Sequence, residues 1–222
     1  MDRQLTAIDG DNFLDAFAQT VGSSVENGRV TIPPPYGSGY VMGFLFGSHL
    51  RLLVRHYALH DDLLIKRQSV NLPDSMIQIG ISGILKEEQS EDVAGGTPKR
   101  ALPSVTISTH GLDTEVHIPR GVRFNLIKLA VDPAYLRELL AGEAENLVLK
   151  TLLDNRQPLV FEELVSLRLQ EIVLDMMDRP IPASLQRFFY KVKAEELICC
   201  LLMELVQRQD HSLPFTQSTR LI

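Results

Sequence analysis

Six histidines occur in this 222-residue chain, and three of them fall in one stretch, "GSHLRLLVRHYALHDDL". His49, His56 and His60 are seven and four residues apart. A metal held inside a β-barrel wants two ligands at i and i+2, because alternate residues of a strand face the same way. No pair here has that spacing. His56 and His60 would suit zinc on one face of a helix, but "RLLVRHYAL" reads as a strand. A strand would set them about 13 Å apart, too far for a single ion. His110 and His117 flank a turn and are read as solvated.

Nucleophiles and phosphate loops fare no better. Cys199 and Cys200 adjoin in an apolar run, where thiols behave as small hydrophobes. Neighbouring positions on a helix point about 100° apart, so no bridge between them is expected. There is no Gly-x-Ser-x-Gly elbow, phosphate loop or dinucleotide fingerprint. "DGDN", Asp9 to Asn12, has the acidic opening of a calcium loop but lacks the remaining ligand positions. No catalytic residue, metal ligand or cofactor site is assigned, and the chain is not expected to be an enzyme. What remains is ligand binding by polar residues set within strands. Arg55, His56, Tyr57, Gln78 and Lys128 are the candidates. Each has an alternative placement on a solvated sheet face.

The elements that would position them follow from pattern. Asp11 or Asn12 can cap a short helix carrying Phe13, Leu14, Phe17 and Val21, ended by Gly22. Asn27-Gly28 between Val-containing flanks signals a hairpin. From Gly37 to Val131 the runs "YVMGFLF", "LRLLVRHYAL", "LLIKRQSV", "SMIQIGISGIL", "SVTIST", "TEVHI" and "FNLIKLAV" follow one another with no helix between them. That order predicts an antiparallel sandwich or barrel. "KEEQSEDVAGGTPKR", Lys86 to Arg100, reads as a surface loop.

At Asp132-Pro133 the period changes. Asp132 as N-cap, Pro133 in the first turn and Gly142 at the end enclose a helix. A second is expected in "EAENLVLKTLLD" and a third from Phe161 to Asp178. Ser184 to Asp210 contains no Pro or Gly and makes one helix about 40 Å long. Its Leu185, Phe188, Phe189 and Val192 form a stripe expected to rest on the chain's own domain. After Glu196 the helix is apolar nearly all round, so it needs more than one neighbour. Leu197, Leu201 and Leu205 are expected to meet a second copy.

The charge bounds the partners. With 22 Lys+Arg against 28 Asp+Glu the net charge is −6, which argues against general nucleic-acid binding by this chain alone. No stretch reaches the roughly 18 apolar residues of a membrane span, and "MDRQLTAIDGDNF" has no signal-peptide core. A cytoplasmic protein with no membrane partner is expected.

The order of the pieces resembles the N-terminal effector-binding and dimerisation domain of AraC-type bacterial transcription regulators, over roughly Gly37 to Arg208. The resemblance rests on "GSGYVMGFLFGSHLRLLVRHYALHDDLLIKR", "MIQIGISG" and "LPSVTIST", followed by "PRGVRFNLIKLAVDPAYLRELL". "LQEIVLDMMDRPIPASLQRFFYKVKAEELICCLLMELVQR" is similar to the helical end of siderophore-responsive members. It implies an α+β fold, a cupin-like antiparallel β-barrel followed by a C-terminal helical hairpin. It also implies a small-molecule effector, a homodimer, and DNA contact only through C-terminal helix-turn-helix units that would begin near Ile222. The expected organisation is an N-terminal helix and hairpin over 1–36, the barrel over 37–131, a dimerising helical region over 132–210 and a linker over 211–222. Two other readings are a metal-dependent cupin-type enzyme and a dimeric interaction module without a ligand.

Overall fold

The computed structural model describes residues 4–9, 13–67, 76–83, 103–109, 114–140, 147–154 and 160–210. In chain order the elements are β1 (Gln4–Asp9), α1 (Phe13–Thr20), β2 (Val25–Glu26), β3 (Arg29–Thr31), β4 (Gly37–Phe46), β5 (Leu50–Leu59), β6 (Asp62–Arg67) and β7 (Ile77–Ser82). There follow β8 (Ser104–Ser108), β9 (Thr114–Ile118), β10 (Phe124–Val131), α2 (Pro133–Leu139), α3 (Leu147–Asp154), β11 (Val160–Leu164), α4 (Leu167–Asp178) and α5 (Ala183–Asp210). The fold is α+β.

Eight strands form one antiparallel sheet in the order β11-β8-β7-β10-β5-β4-β3-β2. A second sheet has the order β1-β6-β9, with β1 parallel to β6 and β9 antiparallel to it. No hydrogen-bonded strand pair joins the two sheets among the described residues. The β2–β3 turn is the expected hairpin: Asn27 and Gly28 both take left-handed φ, 51° and 75°, the conformation a two-residue turn demands.

The large sheet puts the period of two to direct use. Phe44, Leu52, Leu129, Ile79 and Ile107 lie side by side across five strands, as do Met42, Val54, Ile127, Ile81 and Val105. All ten are buried, and they share one core with residues of α2, α3, α4 and α5. Sequence pattern therefore places α2 to α5 on this face.

The helices have clear local causes. Asp132 caps α2 by accepting from the Ala134 amide at 2.7 Å, and Pro133 supplies the first turn. Ser166 caps α4 through the Leu169 amide at 3.2 Å. Side by side, α4 and α5 are joined by Tyr190, whose hydroxyl donates to the Met176 carbonyl at 2.9 Å, and by Lys193, 2.8 Å from both Asp175 and Glu196. Burial by itself would raise the Asp175 carboxyl, but hydrogen bonds and charge from Lys193 and Arg179 outweigh it and hold the group below its ordinary value. Tyr135 of α2 donates to Glu195 of α5 at 2.6 Å; burial and that carboxylate push its phenol up to about 12. No helix among the described residues is long and apolar enough to cross a membrane.

Several expectations need correction. β1 was not foreseen. Phe161 to Leu164 is a strand paired with β8, not the start of a helix, which begins only after the Ser166 cap. Leu197, Leu201 and Leu205 are 1%, 3% and 2% exposed within a single chain, so they face their own core rather than a second copy. Leu185, Phe188 and Val192, expected to rest on the domain, are exposed instead. Cys199 is exposed as well. The caps at Asp11 and Asn12, the loop from Lys86 to Arg100, Gly142 and the segment 211–222 lie outside the described residues.

Burial separates two leucines of the helical pair. Leu201→Ala should cost about 2–5 kcal/mol, the range for a buried leucine cavity. Leu167→Ala, at a side chain 78% exposed, should stay within about 0.5 kcal/mol. Urea unfolding of both variants checks the assignment, and equal losses would refute it.

Candidate functional site

The same two-residue period that builds the apolar face leaves a polar one behind it. Cross-strand register sets Arg51, Ala130, Gln78 and Ser108 in one row. Leu53, Lys128, Gly80, Thr106 and Glu162 form the next, and Arg55, Leu126, Ser82 and Ser104 a third. The Ser82 and Ser104 hydroxyls, 3.4 Å apart, confirm that both point the same way. Neighbouring strands lie about 4.8 Å apart, so Lys128 and Thr106 are about 10 Å apart with only Gly80 between them. A Cβ placed on Gly80 would meet nothing nearer than Leu126 Cδ1 at 3.8 Å. The row therefore has an open place at its centre, with a cation on one side and hydroxyls on the other.

One end of this face is closed. Leu14 of α1 lies over Gly43, where any Cβ would come within 2.8 Å of its Cδ1. Phe13 stacks on the guanidinium of Arg55, 4.0 Å from ring centroid to Cζ. Phe17 and Phe124 pack on Tyr57 with ring centroids 5.3 and 5.5 Å away. These residues join Leu63, Ile65 and Ile118 of the small sheet in a second apolar core. The polar residues of β7, β8 and β10 continue beyond α1's cover.

Four of the five expected ligand residues thus share a face, and they divide by role. Gln78 and Lys128 belong to the polar rows beyond α1, Gln78 buried and Lys128 half-buried. Arg55 is only 3% exposed beneath Phe13, and Tyr57 is a core residue. His56 is on the other face, because it lies between Arg55 and Tyr57 on one strand and the three cannot point together. Its Nδ1 donates to the Asn125 amide oxygen at 2.6 Å, and its ring lies 5.5 Å from that of Tyr40. Arg51, Ser82, Ser104, Thr106 and Ser108 were missed. Their signal was alternation in short runs: Ser104-x-Thr106-x-Ser108 and Gln78-x-Gly80-x-Ser82 each place polar or small residues on one side.

The described histidines do not converge. His49 lies tilted against Tyr135 with centroids 4.1 Å apart, His60 is 3.3 Å from the Pro35 carbonyl, and His117 is 3.7 Å from Asp62. No group of three His, Cys, Asp or Glu side chains among the described residues could hold a metal ion. His110 lies outside them.

With the geometry in place, comparison with known families gives one result. The model described as the regulatory protein PchR N-terminal domain matches residues 46–216. The chain belongs to the PchR N-terminal domain family. That membership makes it a regulatory domain and supports a place at the N-terminus of a transcription regulator. No curated protein and no solved structure matches the chain. The PchR match takes in β5 to β11 and every helix of the apolar layer, and with them all the open polar rows. It begins after α1, the helix that closes one end of the polar face.

Gln78 in this PchR-type domain is 5% exposed, and its Oε1 has no hydrogen-bond partner among the described residues. A buried acceptor left unpaired costs about 1–3 kcal/mol. Gln78→Leu should therefore leave stability unchanged or raise it by about 1 kcal/mol, read as a shift in the urea midpoint. A loss of about 2 kcal/mol or more would show that Gln78 holds the fold together and is not set aside for a ligand.

Proposed function

We propose that this chain is the effector-sensing domain of an AraC-type transcription regulator. It binds a small molecule on the polar face of the large sheet, pairs with a second copy, and passes its state to a C-terminal helix-turn-helix domain that contacts DNA. The two sheets would serve as walls of a cupin-like barrel around the ligand. The observation that carries this reading is the set of polar side chains around the open place at Gly80, a set that a purely structural sheet does not need.

The face also argues for a ligand class. Arg51 and Lys128 supply two cations in adjacent rows, with Glu162 the carboxylate among the described residues of those rows. This concentration of positive charge sits within a chain of net charge −6. Serine, threonine and glutamine side chains add donors and acceptors at fixed strand spacing. A molecule bearing an acidic group and several hydrogen-bonding groups fits that arrangement, with Lys128 taking the anion and the hydroxyls of β8 orienting the rest.

A thermal-shift screen of small organic acids tests this. A true ligand at a hundred times its Kd stabilises the native state by about 2.7 kcal/mol, a rise of several degrees in Tm. Lys128→Ala should weaken binding roughly tenfold to a hundredfold, the worth of a charge-assisted hydrogen bond. His56→Gln, on the far face, should leave the affinity within about twofold. A ligand that binds Lys128→Ala as tightly as wild type but is lost with His56→Gln would overturn the proposal.

A further inference from the structure

Among the described residues, Gly37, Gly39, Gly43 and Gly80 lie within strands of the large sheet, and the first three have a structural reason to be glycine. Gly37 and Gly39 take φ of 150° and 102°, and a Cβ on them would lie 2.1 and 2.2 Å from carbonyl oxygens of β5. Gly43 is covered by Leu14, 2.8 Å from where its Cβ would be. Gly80 has none of these causes. Its φ is not left-handed, and the ladders to β8 and β10 run through it without a bulge. The nearest atom to an added Cβ is Leu126 Cδ1, at 3.8 Å. Glycine weakens the middle of a strand, and where no turn, bulge or packing asks for it, the remaining use is close approach of another molecule to the backbone.

Its neighbours describe what approaches. Ala130, Lys128 and Leu126 stand on the β10 side and Ser108, Thr106 and Ser104 on the β8 side, level with Gln78, Gly80 and Ser82 of β7. One flank is apolar with a cation at its middle, and the other is a line of hydroxyls. Each flanking strand is about 4.8 Å away, which leaves a channel one strand wide over Gly80. A flat or unbranched group fits such a channel, and a branched one meets its walls.

We infer that Gly80 is the floor of the ligand site and sets its specificity. An acidic ligand lies directly on the β7 backbone there, with its anion toward Lys128 and its polar edge toward β8. The missing side chain fixes how close, and therefore how bulky, that ligand can be. The inference rests on the ligand face of the proposed function and assigns the residue that selects for shape.

Two variants of the full chain test this before any effector is known. Gly80→Ala should keep its circular dichroism spectrum and raise Tm by about 1–3 °C, because the added methyl has room and the unfolded chain loses freedom. A fall in Tm would show that the fold itself needs glycine, and would overturn the inference. Gly80→Cys, combined with Cys199→Ser and Cys200→Ser, carries the only thiol in the chain and tests access and charge. Its reaction with a sulfonate-bearing methanethiosulfonate and with the trimethylammonium counterpart is followed by mass spectrometry, each rate divided by that of free mercaptoethanol. The introduced thiol should react in the native chain and favour the sulfonate roughly threefold or more, the effect of one cation about 5 Å away in a half-solvated site. Lys128→Gln in the same background should remove that preference. A thiol that does not react, no preference for the sulfonate, or a preference that survives Lys128→Gln would each overturn the assignment. A thermal-shift screen that finds no effector would count against the regulatory reading and leave these results intact.

Discussion

Consecutive side chains on a strand must point to opposite faces, and β5, β7 and β10 turn that constraint into two surfaces of opposite chemistry. Burying Ile127, Leu129 and Val131 against the helices commits Leu126, Lys128 and Ala130 to the far side. The same holds for Ile77, Ile79 and Ile81 against Gln78, Gly80 and Ser82. The apolar rows and the helices make one continuous core. The polar rows are relieved of that packing duty and keep serine, threonine, glutamine and cations that a core would exclude.

Much of this was legible before any coordinates. Seven strand runs, the Asn27-Gly28 turn and the Asp132-Pro133 helix start are local signals, set by alternation, φ and capping, and the structure repeats them. The failures were non-local. β1 is a short run whose only strand partner among the described residues is β6, more than 50 residues away in parallel register, so no turn announces it. In "VFEELVSL" Phe161 and Val165 fit a helical period as well as a strand, and pairing with β8 decides between them. Arg55, His56 and Tyr57 were chosen as polar residues within a strand, but they are consecutive, which is the one spacing a strand cannot gather. On α5, periodicity identified two apolar sides but not which one docks. The sheet decided it, by burying Leu197, Leu201 and Leu205.

The proposed ligand face and the helical layer are separated by one sheet thickness. Lys128 and Leu129 are neighbours on β10, one in the polar rows and the other in the core that holds Leu197 and Leu201 of α5. A ligand that draws β10 and β8 together across Gly80 would move the apolar rows under α5 by the same displacement, because a close-packed core transmits small shifts instead of absorbing them. The ligand can bias the pair by no more than the difference between its affinities for the two arrangements.

Any such coupling is reciprocal, which makes it measurable. The most direct measurement is the dimer dissociation constant with and without a ligand found by thermal shift, alongside the ligand's Kd on dilute monomer and on concentrated dimer. Both constants should change by one common factor, of the order of 5 to 150. A ligand that binds the polar face while leaving the dimer equilibrium unchanged, with the same Kd on monomer and dimer, would contradict it.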